Sequence, residues 1–127
     1  MLKIFKPCDF HVHLREGQLL KNVLKENNKN FQKILVMPNL TKPITNKKIL
    51  SKYRSFVLKN NHNTEILFTI YLNQDCSIID LKNMVKEKLF FAAKLYPLNA
   101  TTNSSSGVKD IKKMSKYFEF LENNKIP

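Results

Sequence analysis

An α/β architecture built on a parallel sheet follows from three features of the 127-residue sequence. Apolar runs alternate four times with stretches of helical periodicity. The runs are almost continuously apolar, as strands covered on both faces are. Two of them stop at a proline, Pro38 and Pro97, which cannot donate to a sheet ladder. About four β/α units make the first half of a TIM (β/α)8 barrel, or a small open sheet with two free edges. A single, incomplete domain over residues 1–127 is therefore expected.

The first run is Lys3 to Leu14, followed by a helix with Leu19, Leu20, Val23 and Leu24 on one face. The second is Ile34 to Met37, and its helix fits Asn46 to Lys59, with Ile49, Leu50, Tyr53, Phe56 and Val57 inward. The third is Ile66 to Leu72, followed by a helix from about Ile79 to Lys88 with Leu81, Met84 and Val85 inward. The fourth is Phe90 to Tyr96. After the polar stretch Asn99–Gly107, a last amphipathic helix is marked by Val108, Ile111, Met114, Phe118 and Leu121. The polar stretch follows a strand, where α/β folds place their ligand loops.

Composition excludes several classes. A hydrophobic fraction of 43% supports a core and argues against disorder. No run approaches the ~18–20 apolar residues of a membrane span. The start MLKIFKPCDF lacks the apolar core and cleavage site of a secretory signal. Cys8 and Cys76 make no disulfide framework and read as small buried hydrophobes, in keeping with a reducing cytoplasm. The net charge of +12 comes from lysines spread along the chain; only Arg15 and Arg54 are arginines. Without an arginine-rich helix or stacking platform, this is a solvated basic surface able to steer a small anion, not a nucleic-acid interface.

The chemistry concentrates at strand ends. His11 and His13 are two apart in the first run and so share one strand face, within reach of a common metal ion. The alternative is a pair of partly buried histidines satisfied by hydrogen bonds. Arg15 follows at the strand mouth, where its guanidinium suits a carboxylate, unless it is only a solvated surface arginine. Asn39 closes the second run and offers a donor and an acceptor, unless it only forms a turn beside Pro38. Lys94 interrupts an apolar strand. Burial disfavours its ammonium form and would free an amine able to take up CO₂ as a carbamate, unless it snorkels to the rim. His62, among asparagines, is expected in solvent.

Three segments together resemble a known family: DFHVHLREG (Asp9–Gly17), VMPNL (Val36–Leu40) with Pro43, and FAAKLYPLNATTNSSSGV (Phe91–Val108). The chain resembles the N-terminal part of dihydroorotases of the shorter bacterial type, in the amidohydrolase superfamily. That resemblance implies a barrel with two Zn²⁺ ions. His11 and His13 would bind one, and carboxylated Lys94 would bridge both. Arg15 and Asn39 would hold the substrate carboxylate, and Thr101 and Thr102 would ride on a closing loop. The implied reaction is reversible cyclisation of N-carbamoyl-L-aspartate to (S)-dihydroorotate, in pyrimidine biosynthesis, by a cytoplasmic homodimer. The family's two further metal histidines and its catalytic aspartate have no counterpart here. His62 lies in the wrong kind of segment and Asp110 opens a helix. The isolated chain is expected to have little or no activity and to need a C-terminal half. The competing expectation is a non-catalytic half-barrel that serves as an assembly partner.

Overall fold

A computed structural model describes residues 3–127. Strands β1 (Cys8–Val12), β2 (Lys33–Val36), β3 (Glu65–Leu72) and β4 (Ala92–Leu95) lie side by side in that order. Every neighbouring pair is parallel. Parallel neighbours need a crossover rather than a hairpin, and helices α1 (Gly17–Asn30), α2 (Lys47–Asn60) and α3 (Ile78–Lys86) supply it. A 3₁₀ turn (Ile111–Met114) leads into α4 (Ser115–Asn123). The four strands and intervening helices form the expected α/β half-barrel. None of the helices among the described residues is long and apolar enough to cross a membrane.

Strand alternation divides the sheet into two faces. Val12, Ile34, Val36, Phe68, Ile70 and Leu72 pack against Leu20, Leu24, Leu50, Val57, Leu81 and Met84 of the helices. Burying each such side chain contributes about 1.5–3 kcal/mol. The opposite, inner face carries His11, Thr69, Tyr71 and Lys94; the register sets Tyr71 beside Lys94 and Thr69 beside Ala92.

Local signals fix the helix starts. Asn46 caps α2 by accepting from the Ile49 N–H at 3.0 Å. Ser77 caps α3, whose first turn carries Asp80, a charge that suits a helix N-terminus. Asp110 does open a helical turn, accepting from the Lys112 N–H.

Several expectations are corrected. The first run yields a strand only over Cys8–Val12; Ile4 and Phe5 stand in solvent. Because β1 ends the sheet, it is not covered on both faces: Cys8 is exposed, not a buried hydrophobe, and so is Phe10. Cys76 is buried as expected. Leu19, Phe56, Ile111 and Phe118 are exposed, at the margins of helix stripes that the core does not reach. Val108 is not helical. It forms a parallel bridge with Pro97 and so extends the end of β4.

Candidate functional site

The site residues gather where the inner face meets the C-terminal ends of the strands. The pairing of β1 with β2 slips between Asp9 and Val12. Such a bulge re-aims side chains, and His11 lies inside it. The Nε2 atoms of His11 and His13 approach to 3.2 Å, with ring centroids 5.1 Å apart. As a hydrogen bond, the pair needs one ring to donate and the other to accept. The same spacing matches two nitrogens on one tetrahedral ion, which at ~2.0–2.1 Å from the metal lie about 3.3 Å apart. Among the described residues no group of three His, Cys, Asp or Glu could hold a metal ion, so any third ligand from this segment is of another type.

Electrostatics favour a neutral His13 ring. Desolvation lowers the His13 pKa from its ordinary value, and the Arg15, His11 and Lys94 charges lower it further, while an Asn39 contact opposes them. Lys94 acts on His13 as the weakest of these charges. It is half-buried, its Nζ 5.6 Å from the centre of the Tyr96 ring. Beside it in register, the Tyr71 hydroxyl is buried without a hydrogen-bond partner.

Arg15 lies beyond β1 in the left-handed region, φ 64°, a conformation that costs a non-glycine residue about 1–2 kcal/mol. The Tyr53 hydroxyl of α2 donates to its carbonyl at 3.1 Å. Its Nη1 is buried with no partner, an open donor that an anionic group would satisfy. Asn39 is buried, and more than a turn residue. Its Nδ2 donates to the Thr102 carbonyl at 2.9 Å, and its Oδ1 accepts from the Tyr96 hydroxyl at 3.2 Å. The Asn103 side chain donates to the Asn39 carbonyl.

Thr101 and Thr102 are exposed on the loop after β4. The loop is knotted by Ser104, whose hydroxyl accepts from the Thr101 N–H and donates to the Thr101 carbonyl. His62 is exposed and outside the cluster. Tyr96, Asn103 and Tyr53 are the partners that sequence reasoning missed. Only Tyr96 carried a readable signal, since it lies two residues after Lys94 in the fourth apolar run, one residue past the end of β4.

No family model matches the chain. Its sequence is 41% identical over 129 residues to the dihydroorotase of Serratia proteamaculans (strain 568), spanning 99% of this chain and 37% of that protein. It is 38% identical over 129 residues to the dihydroorotase of Buchnera aphidicola subsp. Acyrthosiphon pisum (strain Tuc7), with the same coverage. The chain is homologous to dihydroorotases. It fits their N-terminal portion and spans 37% of the length of these relatives. The Saccharomyces cerevisiae dihydroorotase crystal structure, in complex with 5-fluoroorotic acid, superposes with a TM-score of 0.88 at 28% identity, covering 94% of this chain and 34% of that one. The Campylobacter jejuni dihydroorotase superposes with a TM-score of 0.85 at 32% identity, covering 96% and 36%. The half-barrel is thus the dihydroorotase fold over this segment.

Proposed function

We propose that this chain supplies the N-terminal part of a dihydroorotase active site, for the reversible cyclisation of N-carbamoyl-L-aspartate to (S)-dihydroorotate with loss of water. The observation that carries the reading is the meeting of His11 and His13, 3.2 Å apart, with Arg15 and Lys94 at one end of the inner face. His11 and His13 would hold one Zn²⁺, and Lys94 would hold both ions after its amine adds CO₂ and releases a proton. When bound, the ions supply Lewis acidity toward the amide carbonyl and lower the pKa of water. Arg15 would bind the substrate carboxylate through its unpartnered Nη1. Asn39, fixed by Tyr96, would join it, and the Thr101–Thr102 loop, tied to Asn39, would exclude water.

Asp9, next to the cluster in sequence, accepts at Oδ1 from the His11 backbone N–H at 2.9 Å, and the aspartate that the resemblance assigns to acid–base work has no counterpart among these residues. The 127 residues alone are therefore proposed to be inactive. On this reading the complete enzyme works in the cytoplasm as a homodimer. The test is dihydroorotate hydrolysis with zinc and bicarbonate, on this chain alone and fused to the remaining barrel of a relative. The fusion should turn over and lose both turnover and zinc with Lys94→Ala. A folded, inactive fusion, or unchanged zinc content in His11→Ala/His13→Ala, would refute the reading.

A further inference from the structure

The helix side of the half-barrel holds a cavity that the cluster on the inner face does not use. It lies between the start of α1 and the stretch of α2 from Lys48 to Phe56 and measures about 520 Å³, within the ~300–1,000 Å³ range of small-molecule sites. Lys42, Lys48 and Lys52 line it against one carboxylate, Glu16. Glu16 already accepts from the Thr41 N–H at 3.1 Å. Among the described residues none of the three lysines forms an ion pair. On α2, positions 48, 52 and 56 recur every fourth residue and form one row. Two ammonium groups and the Phe56 ring therefore follow one another along the cavity, with Tyr53 beside them. Phe56 is 39% exposed, so a large aromatic face and unpaired cations share the same opening.

We propose that this cavity binds a small organic anion with a flat apolar body, of the aryl phosphate class. The body lies on Phe56 and Tyr53, and the charge meets Lys48, Lys52 and Lys42. Lysines act as adjustable point charges and impose no fork geometry, which suits a phosphate presented from a variable body. The site has a physical connection to the inner face. Tyr53 is buried, and its hydroxyl holds the Arg15 carbonyl, so a ligand against Tyr53 presses on the group that fixes the Arg15 backbone. The proposal is independent of the reaction assigned to the chain.

The test uses the 127-residue chain with 1-naphthyl phosphate, followed by probe fluorescence anisotropy and by amide shifts of ¹⁵N-labelled protein. Saturable binding is expected, with shifts at Arg15, Gly17 and along α2 from Lys48 to Phe56. Lys48→Ala/Lys52→Ala and, separately, Phe56→Ala should each weaken it at least tenfold, since these side chains are exposed and their loss leaves the fold intact. Inorganic phosphate and 1-naphthol, each lacking one half of the probe, should bind at least tenfold more weakly than the probe itself. Equal binding by either control, binding indifferent to the variants, or shifts centred on His11 and Lys94 would overturn the proposal. So would a chain whose collapsed spectrum shows that no preformed cavity exists.

Discussion

Replacing Gly107 by alanine probes how the loop after β4 is attached to the sheet. A Cβ at this position would meet Pro97 O at 2.6 Å, Pro97 C at 2.7 Å and Tyr96 O at 2.7 Å. All three are backbone atoms, so no side chain can rotate away. Reaching an ordinary 3.4 Å contact requires a separation of about 0.8 Å, the difference between 3.4 and 2.6 Å. That opening falls on the bridge in which the Val108 N–H donates to Tyr96 O at 2.8 Å and the Leu98 N–H to Val108 O at 3.1 Å. Overpacking costs about 1–3 kcal/mol, and each weakened hydrogen bond adds up to about 1 kcal/mol. Gly107→Ala should thus destabilise the chain by about 2–4 kcal/mol. It should also loosen the Thr102 and Asn103 contacts with Asn39, because both lie on the displaced loop. Urea unfolding reports the first effect and hydrogen exchange of amides 98–108 the second. A variant within 0.5 kcal/mol of the parent, with unaltered exchange, would refute this account of the attachment.

Tyr96→Phe removes the donor to Asn39 Oδ1 and should cost about 1 kcal/mol in urea unfolding, with the largest spectral change at the Asn39 side-chain amide. Arg15→Gly relieves the left-handed strain and should raise stability by up to about 1 kcal/mol, while NMR titration shows the His13 pKa rising as one neighbouring cation is lost. Burial pushes the Cys76 thiol up to about 11, so iodoacetamide at neutral pH should label exposed Cys8 and spare Cys76 until the chain unfolds. The folded state holds this proton more tightly than the unfolded state, so its contribution to stability is full below the ordinary thiol pKa and is lost as pH rises towards 11. Cys76→Ala should flatten that alkaline decline.

The alternation of strands and helices was legible because each element carries its own period. Four apolar runs and four helical stripes appear in the structure in the expected order. The failures lie where position in the sheet, rather than local pattern, decides exposure. Cys8 and Phe10 read as core in the sequence, yet they occupy a terminal strand with no neighbour on one side. Val108 fits the helical period of Ile111 and Met114, but a backbone bridge to Pro97 claims it first. His11 and His13 could be placed on a common face because that follows from period two alone. The 3.2 Å approach of their rings could not be foreseen, since it depends on a register slip. The ties of Asn39 to Tyr96, Thr102 and Asn103 span about sixty residues, and no local rule forecasts them.

The two faces of the sheet obey opposite logic. On the helix side, apolar side chains are matched and buried, and substitutions there act on stability. On the inner face, the Arg15 and Lys94 charges both act on His13 beside His11, and among the described residues neither forms an ion pair, while the buried Arg15 Nη1 and Tyr71 hydroxyl have no partners. Like charges held together raise the free energy of the folded chain, and unpaired buried donors raise it further. The same arrangement depresses proton affinity at His13, which leaves an imidazole lone pair available to a cation, and it leaves a guanidinium open to an anion. On the proposed reading, protons and a metal ion would compete for that lone pair, whereas an anion at Arg15 would reduce the positive field that lowers the His13 pKa. Anion binding should therefore raise that pKa, and lowering the pH should strengthen anion binding in the metal-free chain while weakening metal binding.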